Sequence, residues 1–190
     1  MIYPIRLYGD PILRSHALPV RDFSEIAEIA RNMFTTMVEA GGVGLAGPQV
    51  GLRQRIFVVF EYEFDEKGAP VDPPKAKHVF VNPKITASSG EELGEEGCLS
   101  LPGVYSEQVP RSLQITVQYQ DEAGTARSLN AEGYFARAIQ HEYDHLDGVL
   151  FFDRLPRDER RAFLDEHHDE LAELQRRSRI LARESMVKSR

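Results

Sequence analysis

The strongest chemical signal in this 190-residue chain is the run His141-Glu142-Tyr143-Asp144-His145. A helix advances about 100° per residue, so positions four apart stand almost in line and two imidazoles can reach one metal ion from one face. Glu142 points to the side of that face, where it can hold or deprotonate a water activated by the ion. By the same angles Tyr134 and Ala138 wall the space beside the ion. Phe135, Ile139 and Leu146 lie toward the opposite flank and anchor the helix in the core. A surface helix can carry two histidines by chance. Here apolar residues flank the motif on both sides, and a buried His-Glu-His face without an ion would be hard to satisfy.

Two histidines leave a metal site incomplete, and the third ligand decides the class. An extended metalloprotease pattern would place a third histidine three residues after Gly148, but position 151 is Phe. A second route takes an acidic ligand from the helical stretch downstream, where Asp165, Glu166, Asp169 and Glu170 stand beside His167 and His168. That dense charge run reads better as a solvated face. The third route is Cys98, the only thiol of the chain. A lone cysteine is usually a small buried apolar residue. This one follows Gly97, which permits close backbone approach, and precedes an extended Leu-Ser-Leu-Pro run. A rigid extended ligand facing a two-histidine helix suits a tetrahedral site with one open position.

A third region, residues 42–51, is rich in glycine and contains Gly42-Val43-Gly44-Leu45 and Gln49. It lacks the Lys-Ser/Thr ending of a phosphate loop. Small residues in an extended stretch let a peptide backbone lie close, with Gln49 as an amide donor, and a tight turn between helix and strand is compatible with this.

The elements that must position these groups are legible in outline. Asp22 followed by Glu25 resembles a capping box, and Phe23, Ile26, Ile29, Ala30, Met33 and Met37 recur at helical spacing until Gly41-Gly42. Residues 56–60 and 79–81 read as short buried strands, with a charged, proline-containing surface loop or ribbon over 61–78. Leu113, Ile115, Val117 and Tyr119 alternate into a hairpin turn, paired with 127–130. Residues 131–146 read as a helix, and another follows Pro156 with Phe163, Leu164, His167, Leu171 and Leu174 on one side. Strands followed by helices, without regular βαβ alternation, indicate an α+β fold. The length suits one domain, and a single cysteine excludes a disulfide framework. A formal net charge of −7 argues against DNA as a partner, although six basic residues among 175–190 stand against Glu184 alone. No stretch reads as a targeting or membrane segment, so the expectation is a soluble cytoplasmic protein.

Taken together, residues 42–49, 96–100 and 140–147 resemble the three motifs of the peptide deformylases, in order and at plausible spacing. Gly9-Asp10-Pro11-Ile12-Leu13-Arg14, Val81-Asn82-Pro83 and the surroundings of Glu132-Gly133-Tyr134 extend the resemblance over residues 1–155. It implies a catalytic domain over 1–155 with a C-terminal helix and basic tail of the same domain over 156–190. It also implies antiparallel strands around a central metal helix. The implied activity is removal of the N-formyl group from the initiator methionine of new polypeptides, releasing formate. By matching position, Cys98, His141 and His145 would bind the metal, typically Fe²⁺, with Zn²⁺, Ni²⁺ or Co²⁺ as alternatives. Glu142 would be the general acid/base, and the Leu99 amide and Gln49 would stabilise the oxyanion. Gly42, Val43, Gly44 and Leu45 would pair with the substrate backbone, and Tyr134 and Ala138 would wall the methionine pocket. Arg137 is expected either at its entrance or as a solvated surface residue. The basic tail suits docking to the ribosome. Gly47 and Asp147 depart from the common Ala and Asn. Two other readings stand beside this one: a zinc metallopeptidase with an acidic or histidine third ligand, and a ribosome-associated protein with a structural metal.

Overall fold

The helix that carries both histidines, α2 (Gly133–Leu146), packs on a sheet, and much of the chain serves to hold it there. The computed structural model describes residues 1–188. The other elements are α1 (Ile26–Glu39), β1 (Gly44–Ala46), β2 (Ile56–Glu61), β3 (Ala76–Ser89), β4 (Glu92–Cys98), β5 (Leu101–Arg111), β6 (Gln114–Gln120), β7 (Ala126–Glu132), α3 (Arg157–Glu166) and α4 (His168–Lys188). A five-stranded sheet runs β1-β2-β3-β6-β7, and β4 and β5 form a separate ribbon. Every pairing between these strands is antiparallel. This is the α+β arrangement expected, with the metal helix central.

The unbroken apolar run of β2 has a direct cause. Side chains alternate faces along a strand. Ile56, Val58 and Phe60 pack toward α1 with Met33, Met37 and Leu45, while Phe57 and Val59 pack toward α2 with Ile139 and Leu146. Both faces of β2 are covered, so no polar position is left. On β6 only Ile115 and Val117 are buried, both toward α2, and this gives the observed alternation.

Several boundaries differ from the sequence expectation. The Asp22 carboxylate accepts the Ser24 N–H at 2.9 Å, and the helix begins only at Ile26. The expected capping box is therefore a local turn, because a side chain placed this early satisfies the nearer amide. At the other end, Gly41 takes φ 69° and the Gly42 N–H reaches the Met37 carbonyl at 2.9 Å, as the glycine pair predicts. Strand β3 runs well past 79–81, because its outer half pairs with β6 while facing solvent and so lacks an apolar signal. Residues 62–75 form a ribbon closed by a Phe64–Pro70 bridge.

The single helix expected after Pro156 is two, broken at His167. The break lets Phe163 and the later Leu171 and Leu174 join one apolar cluster with Leu101, Phe151 and Phe152. That cluster draws residues from both sides of position 155. Arg190 of the basic tail lies outside the described residues. Among the described residues, no helix is long and apolar enough to cross a membrane.

Candidate active site

Three elements converge on the histidine face of α2. The first is the end of β4, where Cys98 sits at a register irregularity between β4 and β5. One ligand atom each from Cys98, His141 and His145 lies within 4.8 Å of the others. The Cys98 Sγ stands 3.3 Å from His145 Nε2. The backbone N–H of Ser100 approaches the same sulfur at 3.4 Å.

Glu96, two residues before the cysteine, faces His141. Its Oε2 is 2.8 Å from His141 Nδ1. A carboxylate there fixes the proton on Nδ1 and leaves Nε2 free to ligate. The same Glu96 accepts both Arg111 Nε (2.7 Å) and Arg111 Nη2 (2.9 Å). Burial works to raise the Glu96 pKa, but these hydrogen bonds and charges outweigh it and hold the carboxyl far below its usual range. Arg111 also donates to Asp144 at 2.6 Å, and Arg154 closes on the other Asp144 oxygen. Burial lowers the His145 pKa well below its ordinary value, which favours the neutral imidazole that binds metal.

The second element is the short edge strand β1. Gly44 lies where a Cβ would overlap Glu142 Oε1, so the absence of a side chain lets the strand close on the carboxylate. Burial pushes Glu142 up to about 7, and its Oε2 is buried without a hydrogen-bond partner in the protein. The third element is the 3₁₀ turn Gly47–Val50, which carries Gln49, only 1% exposed. The Gln49 Oε1 accepts the Ala46 N–H at 2.7 Å, which turns Nε2 toward Cys98 Sγ at 3.4 Å. Gly47 has a packing reason, since a Cβ there would stand 2.7 Å from the Gln54 carbonyl. Asp147 receives Arg55 at 2.6 Å.

Together these residues line a cleft of about 350 Å³, walled by Gly42, Val43, Gly44, Gln49, Cys98, Leu99, Tyr134, Ala138, His141 and Glu142. Leu45 is the exception: its side chain is buried in the α1 cluster, so only its backbone can face the cleft edge. Arg137, which the sequence leaves between cleft and solvent, lines the cleft and is buried. A larger concavity of about 860 Å³ lies beyond Tyr134 over β3, β6 and β7, but it contains neither thiol nor imidazole. Chemistry rather than size selects the smaller cleft.

The donor set suits a divalent ion. A thiol and two imidazoles at mutual ligand distance supply three of the four ligands of a tetrahedral site, and Glu142, with a buried oxygen that has no partner, is the neighbour in sequence of His141. None of the acidic residues 165–170 belongs to this group. The bracing roles of Glu96, Arg111, Asp144 and Arg137 are not legible in the sequence. Their partners lie far apart along the chain, and the only local hint is a charged residue beside an apolar or glycine-containing run.

A helix-borne His-Glu-x-x-His with a strand-borne cysteine, set among antiparallel strands, defines a metal-dependent hydrolase. Residues 2–161 match the family Polypeptide deformylase. A curated peptide deformylase of Thermus thermophilus is 54% identical over 188 residues, covering 97% of this chain and 98% of that protein. One from Chlorobium limicola is 44% identical over 162 residues, covering 85% and 84%. A solved structure of a Thermus thermophilus peptide deformylase superposes with a TM-score of 0.87 at 54% identity, covering 93% of this chain and 99% of that one. One from Legionella pneumophila gives 0.76 at 38% identity, covering 93% and 96%. The chain belongs to the polypeptide deformylase family. The family and structural matches support removal of the N-formyl group from nascent polypeptides as its activity.

Proposed function

We propose that Cys98, His141 and His145 hold one divalent ion, Fe²⁺ in the working enzyme, and that Glu142, Gln49 and the Leu99 amide hydrolyse the formyl amide of an N-formyl-methionine peptide beside it. The observation that carries this reading is the clustering of the Cys98 thiol with the His141 and His145 imidazoles at the wall of a cleft. Cys98, His141 and Glu142 line that cleft, and the Glu142 carboxylate has a buried oxygen without a partner. An ion held there supplies Lewis acidity, which acidifies water and polarises a carbonyl oxygen.

The remaining steps belong to the chain's own residues. β1 is the outer strand of its sheet and Gly42 and Gly44 line the cleft, so this segment can pair with the extended substrate and bring its formyl carbon beside Glu142. Glu142 takes a proton from the attacking water and returns it to the departing amine as the C–N bond breaks. Formate and a free N-terminus result. Gln49 Nε2, its orientation fixed by Ala46, and the Leu99 N–H donate to the oxyanion, where charge develops only as the reaction proceeds. Ala138 and Tyr134 flank the methionine side chain.

New polypeptides meet such an enzyme at the ribosome, and the exposed arginines of α4 supply the contact to ribosomal phosphate in this reading, with a cytoplasmic location. The test of the catalytic assignment is formate release from a formyl-Met peptide by Fe²⁺- or Ni²⁺-loaded protein. Glu142→Gln is expected to keep its metal and lose activity by about 10²-fold or more, and Cys98→Ser to lose metal. Full activity in Glu142→Gln, or unchanged metal content in Cys98→Ser, would overturn it.

A further inference from the structure

Arg137 sits on α2 one turn before His141 and is only 7% exposed. Its guanidinium donates to Glu96 Oε1 at 3.0 Å, to the Val109 carbonyl at 2.9 Å and to the Glu92 carbonyl at 2.8 Å. All three acceptors belong to the β4–β5 ribbon. The side chain fits because Gly94 leaves a gap, and a Cβ at Gly94 would come 2.8 Å from the guanidinium carbon.

Both Arg137 and Tyr134 line the cleft, but Tyr134 is 44% exposed and stands at the mouth, whereas Arg137 stands inside. A guanidinium pinned by three acceptors cannot swing aside without leaving buried donors unpaired, so it forms a rigid wall. Three of its five N–H groups are taken by the ribbon, which holds the guanidinium against β4 and β5. It presents the flank of an apolar stem and a planar face.

We propose that Arg137, seated in the gap left by Gly94, is a specificity-determining residue that limits the length of the first side chain the cleft admits. The inference rests on the deformylase reading of the same cleft. An unbranched apolar chain of methionine length ends against this wall, and longer chains are turned away by it.

The test compares three peptides that differ only in the first residue: formyl-norvaline, formyl-methionine and formyl-aminooctanoate, in order of increasing length. In Arg137→Ala the ratio of kcat/KM for the longest over formyl-methionine is expected to rise by about tenfold or more. In Gly94→Ala the new methyl drives the guanidinium into the cleft, and preference shifts the opposite way, toward norvaline. Arg137→Lys, which keeps the stem and charge but loses the fork, gives an intermediate shift and serves if the alanine variant does not fold. Metal content is measured alongside. If all variants lower the three substrates by one common factor together with metal content, Arg137 is only a brace between ribbon and helix, and the proposal fails. No formate from any peptide with the parent protein would instead sink the deformylase reading beneath it.

Discussion

Gly44 sets how closely β1 lies against Glu142, because any Cβ there overlaps the carboxylate. Gly44→Ala must move either the strand or Glu142, and misplacement of an acting group by about 1 Å costs about 10²-fold in rate. The expected outcome is a folded protein with full metal content whose kcat falls by about that factor. Metal analysis and formate release on the same sample check it, and retained activity would mean that Glu142 does not work from this position. At this scale the sequence is most informative where chemistry is local. His141 and His145 share a helix face, and Cys98 is the only thiol. Arg137 is ambiguous because its helical angle places it at the edge of the cleft face, while its burial depends on Glu92, Glu96 and Val109 of another element.

The elements are held in place by buried charge. Arg111 bridges Glu96 on β4 to Asp144 on α2, and so ties the cysteine-bearing ribbon to the histidine-bearing helix. Arg111→Met leaves two buried carboxylates short of a partner, and breaking such a network costs about 3–5 kcal/mol. Urea unfolding of metal-loaded protein should show that drop in stability, together with weaker metal retention. A second pairing acts on the ribbon over 62–75. Glu61 ends β2 and pairs with Lys75 at 2.6 Å and His78 at 2.8 Å. Burial works to raise the Glu61 pKa, but the hydrogen bonds from Lys75 and His78 outweigh it and hold it below the ordinary 4.5. A carboxylate depressed in the folded state adds stability above its ordinary pKa, and that stability disappears as pH falls through the folded value. Glu61→Gln should therefore be less stable than the parent at pH 7 by up to about 1 kcal/mol, with the difference vanishing in acid. Thermal melts from about pH 3 to about pH 7 check the sign. Elements with one-sided burial are legible from their period, as β6 is. The β4–β5 ribbon is not, because its strands mix glycine, acid and proline. Their placement rests on charged pairings with α2 together with a few apolar residues, Leu101, Val104 and Val109, packed in the Phe151 cluster.

For the whole molecule, the net charge of −7 conceals an uneven distribution. Leu171 and Leu174 bury one face of α4 against Phe163 and Phe151, which fixes the start of that helix to the body. Beyond them Arg176, Arg177, Arg179 and Arg183 are all exposed, and Arg176 is engaged by Glu173. An acidic body should be repelled by ribosomal RNA, so any attraction must come through this helix. None of these arginines lines the cleft. Replacing Arg177, Arg179 and Arg183 by Gln should therefore weaken co-sedimentation with ribosomes, while formate release from short free peptides continues. Every phosphate that an arginine no longer neutralises lowers the slope of log affinity against log salt by about 0.7–0.9, so the triple variant should flatten it by about two units. Removal of residues 175–190 should weaken binding in the same way. The salt slope separates this account from simple damage to the fold, which would weaken binding without changing its ionic-strength dependence in proportion to the charges removed. Unchanged ribosome binding by both proteins would leave the basic helix without that role.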